Sequence, residues 1–152
     1  MNLFFDTSAL VKYFHIEEGT EQVTALIHDS DHEVWILGLA RTEFISALFK
    51  KYRTRVIDSE QLDLAIAGFE VEYTTFNVEP LSPSVTREAE ELLKKYGKYE
   101  GLRTLDALHL GGFRLLADEG WVFVSADEVL CNTARLEGFK VINPCSQNES
   151  SN

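Results

Sequence analysis

The chain has 152 residues, 45% of them hydrophobic and 26% charged, which suits one globular domain with a sizeable core, and no second domain is expected. Its 14 basic residues stand against 25 acidic ones, and the net charge of −11 excludes generic binding to nucleic acid or anionic membrane through a broad basic surface, though not a local basic rim. No apolar run approaches the roughly 18 residues needed to span a bilayer, no basic stretch leads a long apolar one at the N-terminus, and Cys131 and Cys145 lack CxxC spacing, so a cytoplasmic protein without zinc site or disulfide scaffold is expected.

The chain opens on Leu3, Phe4 and Phe5, an apolar run suited to a strand buried on both faces, and stops abruptly on Asp6, Thr7 and Ser8. Thr7 or Ser8 can cap a short helix over 9–14, and Val23, Leu26 and Ile27 mark one face of a helix over 19–28. Residues 34–37 form a second apolar run. Gly38 then leads into a helix over about 39–52 that carries Glu43 in its first turns. Asp58 and Ser59 are caps for a helix through Phe69, and the β-branched and aromatic stretch 73–78 predicts a third strand.

Pro83 suits the first turn of a helix that Gly97 stops, and a long helix is expected over 102–117. Gly111 and Gly112 lie in its interior, each costing about 1 kcal/mol against Ala, which implies close packing of that helix on the sheet. Residues 121–124 make a fourth strand ending at Ser125, Ala126 and Asp127. A helix through Leu130 and Leu136 stops at Gly138, and residues 140–142 form a last short strand. The domain is expected over 1–144, followed by a polar, disordered tail over 145–152.

Strands alternating with helices predict right-handed crossovers and a three-layer α/β/α sandwich around a parallel sheet. The C-terminal ends of parallel strands share one edge, so Asp6 and Asp127 should meet on one rim, with Glu43 within reach. Asp106, an acid in the otherwise apolar run Leu105 to Leu110, is the fourth candidate. Each acid taken alone has a plain explanation: a helix cap for Asp6 and Asp127, a partner of Arg41 or Lys50 for Glu43, a helix-dipole contact for Asp106. Taken together they form a cluster that cannot stay fully ionised without cations, and oxygen donors alone favour Mg²⁺ or Mn²⁺ over Zn²⁺. His109, three residues after Asp106, is expected to be packed and satisfied rather than a ligand.

The segments Asp6-Thr7-Ser8-Ala9-Leu10-Val11-Lys12, Arg41-Thr42-Glu43-Phe44, Leu105-Asp106-Ala107-Leu108-His109-Leu110 and Val124-Ser125-Ala126-Asp127 resemble the four acidic motifs of PIN-domain ribonucleases, and more narrowly the VapC toxins of toxin–antitoxin pairs. The resemblance runs from Asn2 to about Asn143. It implies five parallel strands in the order 3-2-1-4-5, Mg²⁺- or Mn²⁺-dependent cleavage of single-stranded RNA, and a homodimer inhibited by an antitoxin. It carries the metal-binding and catalytic roles to Asp6, Glu43, Asp106 and Asp127, with Ser8 and Ser125 as nearby hydroxyl contacts. Two departures are Ser125 where Thr is common and Gly111-Gly112 where an Ala-rich continuation is usual.

On that reading Lys12, Arg41, Arg103 and Arg114 are candidate phosphate contacts, and Tyr13, Phe14 and Phe44 candidate stacking surfaces. A dehalogenase-type phosphatase would need a second Asp where Ser8 stands, and a phosphoryl-receiver domain an acidic pair before the first helix. The remaining alternative is a PIN-like binding module that uses the acidic site only to dock a partner.

Overall fold

The computed structural model describes residues 1–146, so the expected tail lies, apart from its first two residues, outside the described part. Twelve elements alternate along the described chain. The strands are β1 (Asn2–Phe5), β2 (Glu33–Leu37), β3 (Asn77–Glu79), β4 (Val122–Val124) and β5 (Lys140–Ile142). The helices are α1 (Thr7–Phe14), α2 (Thr20–His28), α3 (Leu39–Arg53), α4 (Ser59–Tyr73), α5 (Pro83–Tyr96), α6 (Thr104–Leu116) and α7 (Glu128–Leu136). All pairings are parallel, in the order β3-β2-β1-β4-β5.

The central strand explains the two cores. Side chains alternate across a strand, so Leu3 and Phe5 point to one face and Phe4 to the other, and all three are fully buried. Leu3 and Phe5 join Leu10, Val23, Phe44 and Phe69 from α1 to α4. Phe4 joins Val85, Leu110, Phe113 and Leu130 from α5 to α7. The sheet is therefore covered on both faces, as a parallel sheet requires.

Two local expectations are corrected. The stretch 73–78 is not one strand: α4 runs to Tyr73, which packs beside Phe69, and strand pairing starts only at Asn77. The hydroxyls of Thr74 and Thr75 bond back to the carbonyls of Val71 and Glu72 at 2.7 Å, so these β-branched residues close a helix instead of extending a strand. The paired glycines of α6 divide their roles. A Cβ on Gly112 would meet Leu37 Cδ1 on the sheet at 3.0 Å, whereas one on Gly111 would lie 2.9 Å from Ala89 N and 3.1 Å from Val85 O, in the backbone of α5. Close packing against the sheet holds for the second glycine only; the first lets two helices touch.

Candidate metal centre on the sheet rim

Asp6 follows β1 directly. Its carboxylate, and not the hydroxyl of Thr7 or Ser8, caps α1 by accepting from Ala9 N at 3.1 Å. Ser8 Oγ lies 2.8 and 2.9 Å from the two carboxylate oxygens, and Ser125 Oγ donates to Oδ2 at 2.9 Å. The same two hydroxyls bind the loop after β4: Ser8 Oγ accepts from Ala126 N at 3.0 Å and Ser125 Oγ from Asp127 N at 3.1 Å. The ends of neighbouring strands are thus tied through serines, and Ser8 and Ser125 both contact Asp6. Asp6 is only 3% exposed, and burial pushes its carboxyl up to about 6, against the opposing influence of His109, Ser8, Ala9 N–H and Ser125.

Asp127 caps α7 by accepting from Leu130 N at 2.9 Å. Asp106, in the first turn of α6, is half-buried, with Arg103 Nε 3.7 Å from its Oδ2. Its carboxyl is raised above the ordinary range, first by burial and then by the negative charge of Asp127, with Glu43 adding a smaller push. Asp106 therefore feels both Asp127 and Glu43. His109 acts on Asp6 by its charge and faces Glu43.

The second knot of the rim is Glu43, Thr7 and His109. Thr7 Oγ1 donates to Glu43 Oε1 at 2.9 Å, and His109 Nε2 faces the same oxygen. A carboxylate can only accept, so Nε2 carries the proton of this contact. Glu43 does not pair with Arg41, which turns to Glu70. His109 is packed as expected, at 2% exposure, but it is not fully satisfied: Nδ1 is buried without a partner. Its spacing from Asp106 was visible in the sequence, whereas its approach to Glu43 depends on α3 and α6 meeting across the sheet edge.

Most of the expected substrate contacts are engaged elsewhere. Arg41 binds Glu70 at 2.7 and 2.8 Å and lies 4.7 Å above the Tyr73 ring; Arg114 sits among Glu88, Glu91 and Glu137; Lys12 faces Glu17. Arg103 alone of the four is strongly exposed and beside an acid of the rim. Phe44 is fully buried and stacked on Phe69 at 4.1 Å, so it is not a base platform, and the half-buried Phe14 packs edge-on against both. Tyr13 OH bonds His28 Nε2 at 2.7 Å. Cys131 and Cys145 are free thiols, and burial pushes the first up to about 11.

Among the described residues no three acids, histidines or cysteines are drawn together closely enough to hold an ion. In the contacts above the Asp6 oxygens are turned to serines and Glu43 is turned to His109. The donor set still fits a hard divalent cation, since the rim offers carboxylate and hydroxyl oxygens and an acid whose burial disfavours its charge. Among the described residues no helix is long and apolar enough to cross a membrane.

The model of the PIN domain matches residues 3–136. No curated protein sequence matches the chain. Among solved structures, VapC20 of Mycobacterium tuberculosis, described as a sarcin-ricin loop cleaving toxin, aligns with a TM-score of 0.64 at 17% identity, covering 93% of this chain and 97% of that one. FitAcB from Neisseria gonorrhoeae aligns at 0.66 and 14% identity over 95% and 99%. DNA-bound VapBC from Salmonella typhimurium aligns at 0.63 and 15% identity over 95% and 99%. At these identities the likeness is one of fold, and it extends over the whole length of the neighbours. The match over residues 3–136, together with the 3-2-1-4-5 sheet, shows that the chain belongs to the PIN domain family.

Proposed function

We propose that this protein is a Mg²⁺- or Mn²⁺-dependent endoribonuclease that hydrolyses phosphodiester bonds of single-stranded RNA, and that it serves as the toxin of a VapC-type toxin–antitoxin pair. The observation that carries the reading is the rim itself: Asp6 buried at the end of the central strand, and Asp106 raised first by burial and then by the charge of Asp127 and Glu43. Such a cluster is suited to a cation. When bound, the ion supplies a hydroxide at neutral pH and neutralises charge on the leaving oxygen.

Asp6 and Asp106 would be its main ligands, with Asp127 completing the shell. Glu43, held by Thr7 and His109, would orient the attacking water or take its proton. Ser8 and Ser125 hold the Asp6 carboxylate in one orientation. Arg103, exposed at the start of α6, is the cation best placed to meet a phosphate. The structural neighbours solved as toxin–antitoxin complexes support an antitoxin partner, which would bring an Arg or Lys toward the acids and compete with the metal. Homodimer formation is part of the same proposal.

The docking-module alternative draws on the absence of a closed ligand set among the described residues. A nuclease assay separates the two readings. Purified wild type should cleave single-stranded RNA with Mn²⁺ and stop in EDTA, and Asp6→Asn and Asp106→Asn should lower the rate at least a hundredfold. Equal cleavage by all three proteins, or cleavage independent of divalent ions, would refute it.

A further inference from the structure

In a chain carrying 25 acids, none lies between Glu43 and Asp58, and four of the 14 basic residues fall within six positions of that gap: Lys50, Lys51, Arg53 and Arg55. They form the end of α3 and the turn into α4. Lys51 reaches Glu17 at 3.3 Å, while Lys50, Arg53 and Arg55 are exposed and have no acid within ion-pair distance among the described residues. Arg53 and Arg55 line a hollow of about 670 Å³ together with the exposed Tyr52, Val56 and Ser59. Asp58 also lines it, but its carboxylate is committed to the capping box of α4 through Gln61 N at 2.8 Å.

The plain account of these cations is that they complement the C-terminal end of the α3 dipole. It serves for Lys50, Lys51 and Arg53, which are in the last turn, and fails for Arg55. Arg55 has φ +61°, the only non-glycine residue with positive φ among those described. Its N–H bonds Tyr52 O at 3.0 Å and Val56 N–H bonds Lys51 O at 2.8 Å, the pair of contacts that closes a helix through a left-handed residue. Glycine occupies that position at no steric cost, and arginine does not. The strained Arg55 thus keeps a solvated guanidinium beside that of Arg53 and an exposed tyrosine, and strain of this kind is the starting point for a functional hypothesis.

We propose that the α3–α4 tip is an RNA-binding exosite, in which Arg53 and Arg55 take backbone phosphates, Tyr52 takes a base face and Lys50 adds charge. The proposal rests on the ribonuclease reading and names a second point of substrate contact. Glu43 and Arg53 are ten positions apart on α3, which is about 15 Å along the axis, so the tip would engage a strand several nucleotides from the cleaved bond. It also answers the charge problem: a chain of net charge −11 holds RNA by a local basic tip while the rim acids await their cation.

The test compares wild type, Arg55→Gly and the double variant Arg53→Gln/Arg55→Gly. Binding of a fluorescent 20-nucleotide oligouridylate is followed by anisotropy in EDTA across a salt series, and cleavage of the same RNA and of a trinucleotide is followed in Mn²⁺. Arg55→Gly should match or exceed wild type in thermal stability and bind the 20-mer several-fold more weakly. The double variant should lose about tenfold, with a salt slope shallower by roughly 0.7 for each lost contact. Trinucleotide cleavage should be unchanged. Equal 20-mer affinity in all three proteins would overturn the exosite alone, as would a clear drop in melting temperature for Arg55→Gly, which would make Arg55 a structural residue. Wild-type binding that weakens in the variants without any cleavage would uphold the exosite and refute the nuclease reading, and no binding by wild type would refute the exosite.

Discussion

Ser125, directly after β4, donates its hydroxyl to the carboxylate of Asp6, directly after β1, at 2.9 Å and across 119 positions of sequence. The same oxygen receives the N–H of Asp127, so one buried hydroxyl couples two acids of the rim. Removing it in Ser125→Ala leaves a buried carboxylate short of a donor, a loss of about 1–3 kcal/mol. Denaturant unfolding should show that loss for Ser125→Ala, while Ser125→Thr, which retains the hydroxyl, should keep most of the stability. An alanine variant as stable as wild type would mean that the contact contributes nothing.

The raised carboxyl of Asp6 makes the metal-free protein pH-dependent in a definite sense. Protonated Asp6 is favoured by the fold, so its contribution is fully present below the ordinary value of 3.8 and is lost as pH rises through about 6. At about 1.4 kcal/mol for each tenfold change in proton affinity, ionising it inside the fold costs about 3 kcal/mol. In EDTA, the stability difference between Asp6→Asn and wild type should therefore shift toward the variant between pH 4 and 6. A difference that stays flat over that range would remove burial as the cause.

Asp106 experiences like charge from Asp127 and Glu43. Without metal, Asp106→Asn should raise the melting temperature modestly, by less than about 1 kcal/mol because the group is half-exposed and screened. Adding Mn²⁺ should reverse the order, since wild type alone gains the full binding energy. A variant less stable than wild type in EDTA would point to a helix-dipole role for Asp106.

Gly111 and Gly112 should respond unequally to alanine. At Gly111 the added methyl meets α5 backbone at 2.9 and 3.1 Å, which cannot turn aside, and a net loss of about 1–3 kcal/mol is expected despite the gain in helix propensity. At Gly112 the obstacle is Leu37 Cδ1, the end of a side chain that can rotate, so the loss should be smaller. Thermal melts of the two variants decide the order.

The periodic signals carried the fold. Runs such as Leu3 to Phe5 and Val122 to Val124 are apolar at every position because both sheet faces are covered, and strands alternating with helices then leave a parallel sheet as the simplest arrangement. The misreading at 73–78 has the opposite cause: Thr74 and Thr75 have strand propensity, but local back-bonding and the packing of Tyr73 on Phe69 outweigh it. The ion pairs of the candidate cations were hidden for a related reason. Arg41 and Arg114 are spaced in sequence like solvent-facing residues, and only the assembled helices bring Glu70 and Glu137 to them.

By itself the sequence determined which residues are buried in strands, which acids end them, and hence that Asp6 and Asp127 share an edge, because these follow from local periodicity and from the geometry common to parallel sheets. Tertiary structure alone decided that Asp6 is held by Ser125 from the end of β4, that Glu43 is claimed by His109, and that Arg55 stands in a glycine's conformation at an exposed tip. These are relations between segments distant in the chain, or between a backbone angle and its surroundings. Their energies arise only when the elements pack.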